Sequence, residues 1–153
     1  MPKQRLAREV MTSEVVTVGP NTPVTEAAQT LSKNSIGGAP VIDDNGVLVG
    51  IISESDLILR DVKLHFPNYI SFLNSIIYLE SLNKFEEQLK KAVGAKVKDV
   101  MTREVETVTG DATVEDVATL MVEQDIDRVP VIKDLQVVGI ITKGNIVRLL
   151  GRE

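Results

Sequence analysis

Val10-Met11-Thr12 recurs ninety positions later as Val100-Met101-Thr102. At the same offset Glu14-Val15 matches Glu104-Val105, Thr17-Val18 matches Thr107-Val108, and Pro40-Val41-Ile42 matches Pro130-Val131-Ile132. One residue is then lost, and Val49-Gly50-Ile51-Ile52 matches Val138-Gly139-Ile140-Ile141. Matches that hold register over so long a stretch mark an internal duplication. They divide the chain into two similar units, residues 5–60 and 96–151, separated by an insert at 61–95.

Both units carry the same local signals. Val15 to Val18 is a β-branched run and is expected to be a strand. Thr22-Pro23 offers a capping hydroxyl and a proline at the first helical position. Val24, Ala27, Ala28 and Leu31 follow with helical spacing, and Gly37-Gly38 is expected to stop that helix. Ala39 to Ile42 is the second strand. Asp43-Asp44-Asn45-Gly46 supplies a hairpin turn, because Asn-Gly tolerates positive φ. Val47 to Ser53 is the third strand, apolar on both faces and so expected to be buried. Ser53 to Asp56 opens a second helix. The order is β-α-β-β-α, twice, in a mixed α/β (α+β) fold. A unit of this size is marginal alone, so the two are expected to pack together through their sheets.

Composition narrows the chemistry. The 153 residues include no cysteine and one histidine, His65, which removes thiolate nucleophiles, thiolate zinc sites, disulfides and His-pair metal sites. A net charge of −5 and the lack of a basic face argue against nucleic acid. No apolar run approaches the roughly 20 residues of a membrane span, and Met1-Pro2-Lys3-Gln4-Arg5 has no signal core behind it. No membrane contact and a cytoplasmic location are therefore expected. The acidic residues are scattered rather than grouped into a reaction centre, so no enzymatic activity and no metal site are expected.

Two ordered copies of this motif set resemble a tandem pair of cystathionine β-synthase (CBS) domains, a Bateman module. The resemblance rests on Val10-Met11-Thr12, on the apolar-Pro-Val-Ile strand at Ala39 to Ile42, and on Gly50-Ile51-Ile52-Ser53-Glu54-Ser55-Asp56. It covers the chain except for the insert. It implies two repeats packed with pseudo-twofold symmetry. It also implies a regulatory module that binds an adenosine-containing ligand (AMP, ADP, ATP or S-adenosylmethionine) between the repeats, and a homodimer.

The family motif places Ser or Thr, then Asp three positions on, which here are Ser53 and Asp56. A carboxylate suits the two hydroxyls of a ribose, and a hydroxyl at a helix start suits a phosphate. The same residues also suit a helix cap. By the same resemblance the base is held by Val15, Val16, Ile36, Gly37, Ala39 and Ile51. Arg128, two positions before Pro130, is implied to reach the phosphate, although a surface pair with Asp125 or Asp127 would also place it. These residues are grouped as the stronger site. The second copy departs from the pattern with Asn145 in place of the aspartate and Gly38 facing it in place of an arginine. Its set, Val105, Ile126, Ile140, Thr142, Lys143 and Asn145, is expected to form a weaker site. Glu106 and Asp127 are expected to add acidity to that pocket.

All five aromatic residues lie between Phe66 and Phe85, inside the insert. From Tyr69 to Val93 apolar residues fall at helical spacing and widen beyond a single stripe. Such a helix could cover the module's flank, contact another protein or a second copy, or lie on a membrane surface. Two functions compete. One is a ligand sensor read by a separate effector protein, and the other is a scaffolding dimer that acts through the insert with no physiological nucleotide.

Overall fold

The computed structural model describes residues 4–58 and 95–152. The helix expected in the insert, His65 and the aromatic residues lie outside these residues. In chain order the elements are α1 (Ala7–Val10), α2 (Val24–Lys33), β1 (Gly38–Ile42), β2 (Leu48–Ser53) and a helical stretch α3 at 54–58. They continue with α4 (Val97–Val100), α5 (Val114–Gln124), β3 (Arg128–Lys133), β4 (Gln136–Thr142) and α6 (Lys143–Gly151). β1 pairs antiparallel with β2, and β3 with β4, each with a register shift one residue after the Pro-Val pair.

The strand expected at Val15 to Val18 is a single parallel bridge, Val18 to Val41, and its counterpart is Val108 to Val131. The prolines explain why. Val18 N–H donates to the Pro40 carbonyl at 3.1 Å, and Ile42 N–H donates to the Val18 carbonyl at 2.9 Å. The next rung would need an N–H from Pro40, which has none. Pro130 ends the second copy of the ladder in the same way. Residues 15–16 and 105–106 therefore stay outside the sheet.

Two helix signals work differently from the expectation. Pro23 is the N-cap of α2 rather than its first residue, and the Thr22 hydroxyl accepts from Gly19 N–H at 3.1 Å instead of capping the helix. α2 ends through Ser35, at φ 54, with Ile36 N–H returning to the Leu31 carbonyl at 3.0 Å. Gly37-Gly38 is thus not the helix stop. The hairpin turn is as expected. Asp43 Oδ1 accepts from Asn45 and Val47 N–H, and Gly46 sits at φ 80. β2 is only half-buried rather than covered on both faces.

The two units exchange their leading arms, which repeat spacing could not reveal. α1 and Met11 pack into the core of the second unit, beside Val117, Met121, Val129, Val131 and Ile141. Val97 and Met101 pack into the first, beside Leu31, Ala39, Val41 and Ile52. Backbone pairing fixes the crossing. Thr12 and Ile140 exchange hydrogen bonds at 2.9 and 3.0 Å, and Ile51 and Thr102 do so at 2.9 Å. The arms also complete the helix starts, since Val24 N–H donates to Ala95 and Val114 N–H to Arg5, both at 2.9 Å.

The recurring glycine of β2 and β4 follows from this exchange. A Cβ built on Gly50 would lie 2.6 Å from Met101 Sδ and 3.0 Å from the Thr102 carbonyl, and one on Gly139 would overlap Met11 Sδ and Cγ. Each methionine occupies the space a side chain would fill. Gly139→Ala should therefore cost about 1–3 kcal/mol of stability in urea denaturation. Combining it with Met11→Ala should cost less than the sum of the two single losses, because the overlap disappears.

Candidate functional site

Two cavities flank the junction of the units. The larger, of about 470 Å³, is lined by Val15, Val16, Ile36 and Gly37 from the first unit and by Ile140, Thr142 and Lys143 from the second. The smaller, of about 270 Å³, is lined by Ile51 and Ser53 from the first unit and by Val105 and Ile126 from the second. The two expected sets are thus crossed. The pre-strand segment and post-helix residues of one unit share a cavity with the strand end and helix start of the other. The cause is the arm exchange, which brings β4 alongside Thr12 and β2 alongside Thr102. Ala39, expected to touch the base, is fully buried in the first core.

Ser53 and Asp56 form a cap. Asp56 Oδ2 accepts from Ser53 N–H at 2.9 Å and from its hydroxyl at 3.0 Å. Thr142 and Asn145 copy this, with Asn145 Oδ1 accepting at 2.8 and 2.9 Å. Each cap then reaches the threonine of the exchanged arm, and here the two copies differ in chemistry. The Thr102 hydroxyl donates to Asp56 Oδ1 at 3.3 Å, whereas Asn145 Nδ2 donates to the Thr12 hydroxyl at 3.4 Å. The amide orientation follows from the Thr142 N–H, which only Oδ1 can accept. Thr102 has spent its proton and offers lone pairs to the smaller cavity. Thr12 keeps its proton and offers a donor to the larger one.

Charge divides in the same direction. The larger cavity carries Arg128, Lys143 and Arg148 against Glu14 and Asp127. The smaller carries Arg128 against Glu54, Glu104, Glu106, Asp125 and Asp127. Glu106 and Asp127, expected to make the Asn145 pocket acidic, thus both line the cavity of Ser53, and Asp127 borders the two. Lys143 and Gly144, at the start of α6, line the larger cavity. Arg128 borders both and forms no ion pair among the described residues. Its guanidinium lies against Gly37 and Gly38, where a Cβ on Gly38 would come within 2.8 Å of Nη1. Sequence reasoning read those glycines as a helix stop or a close approach to ligand and so missed this contact. Arg148 was also missed. Its position on α6, one turn beyond Gly144, was the available signal.

Lys143 Nζ meets Asp127 Oδ1 at 2.9 Å, and Lys143 N–H donates to the Asp127 carbonyl at 3.0 Å. The side-chain hydrogen bond from Lys143 holds the Asp127 carboxyl below its ordinary value, and the same bond raises the Lys143 ammonium. The folded state thus gains from ionised Asp127 above its unfolded pKa and loses that gain as pH falls through the lowered folded value. Both side chains are more than half exposed, so the gain is small. In Lys143→Gln the Asp127 carboxyl should titrate at higher pH than in the native chain, read by carboxyl NMR, with overall stability nearly unchanged.

Among the described residues no cluster of His, Cys, Asp or Glu could hold a metal ion, and no helix is long and apolar enough to cross a membrane. Comparison with known proteins places the fold. The CBS domain family matches residues 7–63 and 97–152. An uncharacterised protein of Methanocaldococcus jannaschii, MJ1426, is 35% identical over 153 residues, covering 95% of this chain and 90% of that protein. The chloroplastic CBS domain-containing protein CBSX2 of Arabidopsis thaliana is 34% identical over 134 residues. That match covers 86% of this chain but only 56% of the relative. The crystal structure of CBSX2 in complex with AMP superposes with a TM-score of 0.74 at 30% identity, covering 97% of each chain. That of the MJ0100 CBS domain pair with 5′-methylthioadenosine and S-adenosyl-L-methionine gives 0.72 at 28% identity, covering 98% of each. A CBS pair also occurs within an enzyme, since inosine-5′-monophosphate dehydrogenase of M. jannaschii is 33% identical over 143 residues and this chain spans 23% of it. With both repeats matched and the exchanged-arm pair in place, the chain belongs to the CBS-domain family as a tandem pair.

Proposed function

We propose that this chain is a non-enzymatic regulatory module whose larger cavity binds an adenosine-containing ligand bearing a phosphate, such as AMP, ADP or ATP. The observation that carries this reading is the set of donors and cations that line the larger cavity alone, the Thr12 hydroxyl proton, Lys143 and Arg148, beside Arg128 on the boundary. A guanidinium grips a phosphate bidentately, and an oriented hydroxyl adds a donor. Val15, Val16, Ile36, Gly37 and Ile140 supply an apolar wall for the base. The backbone at 15–16, freed from the sheet by Pro40, can read the base edge through its own N–H and C=O groups. The AMP complex of the similar CBSX2 supports the ligand class. On this reading Asn145 marks the favoured nucleotide cavity rather than the weaker one, because the asparagine leaves the Thr12 proton free. The smaller, acid-rich cavity, which Ser53 lines and Asp56 does not, is the poorer place for a phosphate.

The ligand spans both units, so its binding strengthens their packing and shifts any equilibrium between arrangements. A separate effector protein would read that shift. A homodimer is supported by apolar side chains left exposed on neighbouring helices, Val122 of α5 at 81% and Val147 and Leu150 of α6 at 64% each. A cytoplasmic location accords with the cysteine-free composition.

AMP at a hundred times its Kd should stabilise the chain by about 2.7 kcal/mol, seen as a rise in Tm. Arg148→Ala, which alters only the larger cavity, should weaken AMP roughly tenfold or more and leave adenosine unaffected. No shift with any adenosine compound would favour the scaffolding dimer instead.

A further inference from the structure

Gly38 and Arg128 occupy equivalent places in the two repeats, each two residues before the strand proline. The Arg128 side chain lies against Gly38 rather than mirroring it. Ideal Cβ positions on Gly38 lie 2.8 Å from Nη1 and 2.9 Å from Cζ and Nε of Arg128, and on Gly37 2.7 Å from Nη2. The guanidinium therefore packs over Gly38, and its Nη2 end reaches Gly37. Neither glycine has a positive φ, so neither is required by backbone conformation. Gly38 is itself buried at the head of β1, and Arg128 is half-buried at the head of β3, on the boundary of both cavities.

The structure assigns Gly37-Gly38 as a seat for the Arg128 guanidinium, which makes position 38 a determinant of phosphate selectivity although it brings no polar side chain of its own. A free arginine loses several rotatable bonds' worth of entropy when it grips a phosphate, and a seated one has lost part of it beforehand. The seat also explains why the repeats differ here. A second arginine at position 38 would occupy the volume that the first now fills, and would set two like charges against each other. One cation on the boundary, facing a bare backbone, is the arrangement that fits. This inference rests on the larger cavity being a nucleotide site.

The test is a double-mutant cycle read by calorimetry on the full chain, with AMP and adenosine as probes. Gly38→Ala should lower the ratio of AMP to adenosine affinity at least fivefold while leaving adenosine binding in place, since the atoms its methyl would meet first are those of the Arg128 guanidinium. In an Arg128→Ala background the ratio should already be low, and adding Gly38→Ala should not move it further. A ratio unchanged by Gly38→Ala overturns the seat. So does an equal drop in both backgrounds, which would mark a general disturbance of β1. Arg128→Lys provides a variant that leaves Gly38 untouched: it keeps the charge but not the flat surface, and should lower the ratio nearly as far as Arg128→Ala. Full retention of the ratio in that variant also overturns the seat. If AMP binds but these ratios fail, the seat alone is wrong. If neither AMP nor adenosine binds, the nucleotide reading falls and the seat with it.

Discussion

The contact on which the rest depends is a methionine laid across a glycine of the other unit's sheet. Met11 lies over Gly139 and Met101 over Gly50. An unbranched thioether adapts to the narrow gap left by a missing side chain. The contact pins each arm, and the arm's backbone then pairs with the exposed edge of the neighbouring hairpin. That pairing satisfies an edge that a two-stranded sheet would otherwise leave open. It also sets which strand end faces which pre-strand segment, and hence the composition of both cavities.

The two strand prolines have a complementary role. A proline within a strand ends pairing on the side where its N–H would donate. Pro40 and Pro130 are fully buried, so they contribute to the cores while closing the parallel ladder early. The segments before them are left outside the sheet beside a cavity. One residue type thus packs the interior and frees backbone for recognition.

Much of this was legible in the sequence. The duplication, the hairpin at Asp43 to Gly46, the long helices and the capping pairs Ser53/Asp56 and Thr142/Asn145 all follow from local rules, because their partners lie within a few residues. The crossing of the arms was not legible. Val10-Met11-Thr12 and Val100-Met101-Thr102 stand at the same distance before the first strand of their own repeats whichever sheet they pack on, so spacing carries no information about the partner. The grouping of site residues failed for the same reason. Apart from Arg128 and Gly38, the sequence pattern groups each side chain with its own repeat, while the cavities are built from one repeat's pre-strand segment and the other's strand end. A glycine pair after a helix looks like a stop or a close approach to ligand, and the sequence does not show which side chain lies against it. Its actual neighbour, Arg128, lies ninety residues away. The polarity of Thr12 and Thr102 depends on which atom of Asn145 or Asp56 is left over once the helix is capped, and only coordinates show that.

The exchanged arms carry a consequence for ancestry. A single unit of this kind would leave its own arm bare and its core one layer short. Two identical copies would cure both defects at once, each lending its arm to the other. A chain with crossed arms has the geometry of such a mutually completing couple held in one polypeptide. Once joined, the halves are free to diverge. Asparagine stands in one where aspartate stands in the other, and glycine where arginine stands, so a shape built on equivalence holds two chemically unlike chambers.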